Sequence, residues 1–103
     1  MSKLGQLAQA AEEATDQFAA AVDAAAEAEA AYLRAYHIAF AQTSPLDSDT
    51  KRRSTAEQVA FEERIGSKRA EWAVERCKAL MRTRLATLSA AQTQFKAVEK
   101  MAG

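Results

Sequence analysis

Residues 18–36 read FAAAVDAAAEAEAAYLRAY, and this alanine-rich stretch decides the fold class. Alanine has the highest helix propensity of the amino acids, and 16 of the 34 residues from Ala8 to Ala41 are alanine. No proline occurs in residues 4–43, and Gly5 is the only glycine among them. The sequence therefore predicts an all-α chain that begins with one continuous helix over about residues 4–43.

The next residues, 44–49 (SPLDSD), predict a turn. They hold the chain's only proline and several side chains that bond to their own backbone. A second helix can start at either of two places: at a cap on Ser48 or Asp49, which we prefer, or at a capping box beginning at Ser54. This helix is expected over about residues 50–101, with Gly66 as its one weak point, because glycine costs about 1 kcal/mol relative to alanine inside a helix.

Apolar residues at helical spacing predict that the two helices fold back on each other as a long antiparallel hairpin in a single domain, residues 1–103. The core of this hairpin is thin, because 26 of the 50 hydrophobic residues are alanine and only 24 are larger. Two hairpins that pair into a four-helix bundle would remedy this, so we expect a homodimer. The larger residues of the first stripe are Leu4, Leu7, Phe18, Val22, Tyr32, Tyr36 and Phe40. The second stripe runs through Ala70, Ala73, Val74, Cys77, Leu80, Met81, Leu88, Ala91, Phe95, Val98 and Met101.

Charge is distributed unequally along a chain whose net charge is zero. Residues 1–50 carry two basic and eight acidic groups, and residues 51–103 carry twelve basic and six acidic groups, which gives −6 and +6. This asymmetry indicates either a basic surface for nucleic acid or two halves that neutralise each other, and we favour the second. A fold-back near Leu46 then predicts four ion pairs between the helices: Glu29 with Arg64, Asp23 with Arg69, Asp16 with Arg76 and Glu12 with Arg82.

The same register sets Leu4 opposite Ser89 and leaves the end of the second helix without cover from its own chain. A second copy is the expected cover. The candidate residues for this interface, or for another protein partner, comprise an apolar edge and the uncovered end: Phe61, Ile65, Trp72, Leu88, Phe95, Val98 and Met101.

Catalytic and metal chemistry find little support in the sequence. The chain has one histidine, His37, and one cysteine, Cys77, and it has no Gly-rich phosphate loop and no Glu-x-x-His pair. We therefore expect no enzyme activity, no cofactor, no bound metal and no small-molecule substrate. The lone cysteine, the lack of a signal-peptide pattern and the lack of a long apolar run predict a soluble cytoplasmic protein.

Basic clusters leave nucleic acid as a candidate partner. The second helix opens with three consecutive cations, and further basic residues follow along it. A few such charges bind phosphate weakly and in a salt-dependent way. The candidate nucleic-acid-binding residues are Lys51, Arg52, Arg53, Lys68 and Arg84.

Three segments together carry a resemblance: AYLRAY at 31–36, KRRSTAE at 51–57 and RTRL at 82–85. Their order resembles small all-helical proteins of tailed bacteriophages and prophages, over roughly residues 30–90. The resemblance implies a role beside phage DNA replication or recombination, inside the host cytoplasm. The leading hypothesis is thus a non-enzymatic oligomer that binds single-stranded DNA or a DNA-processing protein, and the alternative is a module that captures and inhibits or redirects a host protein.

Overall fold

The computed structural model describes residues 2–102, and within them it contains three helices and no strand. The helices are α1 (Lys3–Ala41), α2 (Asp49–Val59) and α3 (Phe61–Ala102). The all-α prediction is therefore confirmed. The long first helix forms as the alanine-rich segment predicts, because nothing between its ends interrupts the backbone hydrogen bonds.

Side-chain hydrogen bonds mark both ends of α1. The Ser2 hydroxyl accepts a hydrogen bond from the backbone N–H of Gly5 at 3.0 Å, which satisfies a donor of the first turn. At the other end, the Thr43 hydroxyl donates to the carbonyl of Phe40 at 2.6 Å, and the Thr43 N–H donates to the same oxygen at 3.1 Å. These bonds occupy an unpaired carbonyl of the last turn, so the helix ends two residues earlier than expected.

The second helical segment starts at the earlier of the two sites that the sequence allowed. Ser48 has extended backbone angles, and its hydroxyl accepts a hydrogen bond from the Lys51 N–H at 3.2 Å, as an N-cap does. Asp49 follows in the first turn, where a carboxylate interacts favourably with the helix dipole. Thr55 lies inside α2 and donates its hydroxyl to the carbonyl of Lys51 at 3.0 Å.

The interruption of the second helical segment lies at Ala60 and not at Gly66. Ala60 departs from helical geometry with φ −92° and ψ 17°, which separates α2 from α3. The hydrogen bonds from Ala60 N to Ala56 O and from Arg64 N to Ala60 O are both 3.0 Å, so the helical bonding continues across this residue. Gly66 lies within α3, and a methyl group added there would meet no atom within 4 Å. The glycine therefore marks no close contact within the described residues, and the helix continues through it.

The contacts of the chain divide into two compact units. The first, which we name the turn unit, is Val22–Ala73 and contains the end of α1, the turn, α2 and the start of α3. The second, which we name the end unit, combines residues 2–21 with residues 74–102 and so contains the start of α1 and the rest of α3.

Alanines form the core of both units. In the turn unit Ala39, Ala56 and Ala60 are buried, and in the end unit Ala11 and Ala14 are buried. No large side chain among the described residues is fully buried. Most of the buried and half-buried residues of α1 recur at alternating intervals of three and four, which is the pattern of a helix packed along a narrow seam: Leu4, Leu7, Ala11, Ala14, Phe18, Ala21, Ala25, Ala28, Tyr32, Ala35 and Ala39.

The four ion pairs that the sequence predicted between the helices are wrong. The structure describes two ion pairs in residues 2–102, Lys51 with Asp47 and Lys68 with Glu71, and both join neighbours on one segment. The predicted pairs, Glu29–Arg64, Asp23–Arg69, Asp16–Arg76 and Glu12–Arg82, do not form. Packing of the alanine seam sets the register, and exposed charges contribute too little to override it.

At the start of α1, Leu4 borders a groove together with Ala91, Phe95 and Val98. Ala91 lies two residues from Ser89, the position expected opposite Leu4. Phe95 and Val98 nevertheless remain exposed, and Met101 is 87% exposed.

Candidate interaction surfaces

Two of the three basic residues at the start of α2 contact other side chains of the turn unit. Lys51 Nζ lies 3.4 Å from Asp47 Oδ1. Arg52 donates from Nε to the Thr43 hydroxyl at 2.9 Å, and its guanidinium carbon lies 4.3 Å from the centre of the Phe40 ring. This cation–π contact and hydrogen bond tie α2 to the end of α1. Of the three predicted phosphate-binding residues, Arg53 alone is exposed without an ion pair or side-chain hydrogen bond.

The remaining predicted nucleic-acid residues lie in different places. Lys68 belongs to the turn unit, and its Nζ is 3.4 Å from Glu71 Oε2. Arg84 belongs to the end unit and lines a small groove with Glu13 and Gln17 of α1. The five candidates are therefore divided between the two units and do not form one patch within either of them.

A row of cations lies along one side of α3 in the end unit, and the candidate binding residues predicted from the sequence did not include it. None of its members forms an ion pair, and all but the half-buried Lys78 are exposed. The signal was available in the charge count, because residues 74–102 hold six basic residues and two acidic ones. The row consists of Lys78, Arg82, Lys96 and Lys100, which helical periodicity places on one side of α3; Arg76 and Arg84 lie on other sides of the helix.

An apolar and aromatic face runs along the start of α3. Phe61 is 54% exposed and Trp72 is 64% exposed, while Ile65 between them is half-buried. The intervals of four and seven residues place all three on one side of the helix, together with Lys68. Ser67 and Ala70, which are buried and half-buried, occupy the opposite side. We name Phe61, Ile65, Lys68 and Trp72 the outer face of α3.

A polar groove flanks the outer face within the turn unit. Its volume is about 280 Å³, and it is lined by an acidic group of α1 and by both acidic and basic groups of α3. Arg64 and Glu29 border this groove, as their predicted pairing requires, but they do not approach within ion-pair distance. The lining residues are Glu29, Tyr32, Leu33, Glu57, Arg64, Ser67, Lys68 and Glu71.

The end unit carries a second, more apolar groove. It has a volume of about 290 Å³ and lies where the start of α1 meets the last turns of α3. Leu88, another predicted interface residue, is half-buried one turn before this groove. The lining residues are Lys3, Leu4, Ala91, Gln94, Phe95 and Val98.

The chain's one histidine and one cysteine, the residue types most suited to catalysis or metal binding, occupy ordinary positions on the helices. His37 is exposed on α1, with its ring edge-on to Tyr36 at a centroid distance of 5.6 Å. Cys77 is half-buried on the seam side of α3. Among residues 2–102, no three His, Cys, Asp or Glu side chains come together as metal ligands would.

None of the helices described by the structure has a stretch long and apolar enough to cross a membrane.

Comparison with known proteins gives no relative. No protein-family model matches the sequence, and neither a curated protein nor a solved structure is significantly similar to it. The surfaces of the chain itself therefore carry the functional interpretation.

Proposed function

We propose that this chain is a non-enzymatic interaction protein that acts as a homodimer. Two copies bring four long helices together and cover apolar faces that one copy leaves exposed. Its biological role then depends on binding surfaces presented by the paired helices and not on a catalytic centre.

The small size of the buried apolar core is the observation that supports this proposal. The buried apolar residues of the described chain are five alanines, whereas twelve large apolar side chains are between 39% and 95% exposed. A buried methylene contributes about 0.8 kcal/mol, and a fully buried leucine or phenylalanine contributes about 1.5–3 kcal/mol. An alanine core therefore gives little stabilisation, and covering the larger side chains with a second copy supplies what it lacks.

Light scattering combined with circular dichroism tests the proposal directly. We expect the purified chain to have the mass of two copies at micromolar concentration and to lose helicity on dilution, because folding and association are coupled. A helical chain with the mass of one copy at every concentration would contradict the proposal. That result, with a different protein bound in a fixed ratio, would instead favour the alternative of host-protein capture.

Binding of single-stranded DNA is a second candidate function, favoured by the cation row of the end unit. The four basic side chains of this row form no ion pair within the described residues, and they are the groups that release counterions when they contact phosphates. A role beside phage DNA replication or recombination, which the sequence resemblance implies, would use this row.

Fluorescence anisotropy with a labelled single-stranded oligonucleotide tests this second function. Binding should appear at low salt and weaken steeply as salt rises. Replacing Arg82, Lys96 and Lys100 with alanine should weaken it more than replacing Lys51, Arg52 and Arg53, because Lys51 and Arg52 already have partners in the turn unit. Absence of binding at low salt, or binding indifferent to salt, would contradict a DNA role.

A further inference from the structure

We infer that the outer face of α3 is the contact surface between the two copies, with the two α3 helices antiparallel about a two-fold axis that passes between Gly66 and Ser67. This inference rests on the homodimer proposed above and deepens it, because it assigns the surface, the helix direction and the register. The occupant of the face is therefore a second copy of this chain.

The outer face has the pattern of a second seam that its own chain leaves open. Phe61, Ile65, Lys68 and Trp72 alternate at intervals of four, three and four residues, as positions in a coiled-coil interface do. They lie on the side of α3 opposite the buried Ser67, where Phe61, Lys68 and Trp72 are exposed and Ile65 is half-buried. A single-sided helix hairpin would have no need for this second apolar row.

Antiparallel pairing about this axis brings the aromatic residues together. Trp72 of one copy lies opposite Phe61 of the partner subunit, and the symmetry repeats the pair on the other side of the axis. Aromatic pairs of this kind contribute beyond the area they bury. Nearer the axis, Ile65 lies opposite Lys68 of the partner subunit, whose aliphatic stem can cover it while the ammonium group stays in water.

Charges beside the outer face are self-complementary in the same register. On one edge, Glu62 lies opposite Arg69 of the partner subunit; on the other edge, Arg64 lies opposite Glu71 of the partner subunit. All four side chains belong to exposed residues. Glu71 already has Lys68 of its own chain at 3.4 Å, and its second oxygen remains for the arginine. Two-fold symmetry doubles both pairs, so the interface gains four opposite-charge contacts.

Other registers place like charges together, and the resulting repulsion favours the proposed register. A shift of one heptad in one direction sets Glu62 against Glu62 and Arg64 against Arg64. The same shift in the other direction sets Arg69 against Arg69 and Glu71 against Glu71. A parallel, in-register pair sets Arg64 against Arg69. Like-charge contacts at such positions penalise the wrong partner arrangement more than opposite charges reward the right one.

A charge-reversal series measured by light scattering and sedimentation equilibrium tests the register. Arg69→Glu sets two pairs of glutamates against each other, and we expect it to raise the dimer dissociation constant by about tenfold or more. The double variant Glu62→Arg with Arg69→Glu restores opposite charges in both pairs and should return the constant to within about threefold of the wild type. Arg53→Glu, an exposed reversal on α2, is the matched control and should change nothing.

The chain's only tryptophan provides a second measurement that needs no variant. Trp72 is 64% exposed in one copy, and the proposed pairing covers it. Its fluorescence emission should therefore shift to shorter wavelength as the protein is concentrated from monomer to dimer. If Arg69→Glu fails to fold alone, the double variant and this emission shift still decide the outcome.

The possible failures separate the two proposals. A wild-type chain that stays monomeric overturns the homodimer and this interface with it. A wild-type dimer that ignores Arg69→Glu, that is not restored by the double variant, or whose Trp72 emission does not change on assembly overturns the interface alone and leaves the homodimer standing.

Discussion

Between residues 22 and 73, an arginine stacked on a phenylalanine and a capped turn join α1 to α2, whereas residues 2–21 and 74–102 meet along a stripe of small and apolar residues with no comparable contact. The turn unit holds the ladder of Tyr32, Tyr36 and Phe40, whose successive ring centroids are 6.2 and 6.3 Å apart. It also holds three of the five buried alanines.

This difference indicates that the turn unit and the end unit have different roles. Directional contacts, such as the hydrogen bond from Arg52 to Thr43 and its cation–π contact with Phe40, are concentrated near the turn. They fix how the chain reverses direction. The end unit has a repetitive seam, an open groove beside Phe95 and a row of unpaired cations. We infer that the turn unit fixes the reversal of the chain. The end unit leaves its groove and its unpaired cations available to contact other molecules.

The largest expected effect comes from enlarging an alanine of the turn unit. Ala56 is fully buried, so Ala56→Leu should lower the free energy of unfolding by about 1–3 kcal/mol through overpacking. Ala86→Leu, on an exposed position of α3, should change it by less than about 0.5 kcal/mol. Urea denaturation of both variants measures the contrast. Equal effects would show that the alanine core of the turn unit is not tightly packed.

A smaller effect is expected from the contact that ties α2 to α1. Arg52→Ala removes a cation–π contact and a hydrogen bond, which together should cost about 1–2 kcal/mol of unfolding free energy. Arg53→Ala removes an exposed neighbour without a partner and serves as the control. If the two variants unfold at the same urea concentration, the turn unit does not depend on Arg52, and the comparison between the units loses its main support.

The smallest effect, and the only stabilising one, is expected at Gly66. A methyl group there meets no atom within 4 Å, so Gly66→Ala should raise the unfolding free energy by up to about 1 kcal/mol. The reverse change at a half-buried helical position, Ala70→Gly, should lower it by at least a similar amount. Thermal denaturation checks both. A destabilised Gly66→Ala variant would mean that something outside this copy approaches the glycine closely.

Several features of the fold could be predicted from the sequence because they depend on local chemistry. The alanine-rich segment predicts α1, and the residues around Pro45 predict the turn; the Ser48 cap that we preferred is the one that forms. The narrow stripe that includes Leu4, Phe18 and Tyr32 is also present. Each of these depends on residues within one or two helical turns, so the sequence alone determines it.

The pairing of charges could not be predicted in the same way. Opposite signs on the two helices predicted ion pairs such as Asp23 with Arg69, yet long side chains beside an alanine seam gain too little from pairing to set the register. The candidate phosphate-binding surface changed for the same reason. Arg52 is part of a cation cluster in the sequence, but its stacking on Phe40 depends on where the reversed chain brings α2.

Sequence by itself determined that this chain forms long helices, reverses once near Pro45 and lacks the bulky residues for a deep core, because helix propensity, turn chemistry and composition are properties of short segments. The tertiary structure alone decided the break at Ala60, the stacking of Arg52 on Phe40 and the absence of the four predicted ion pairs from residues 2–102. These features depend on which surfaces the reversed chain brings together, and the packing of alanine surfaces there outweighs the charges that the sequence displays most clearly.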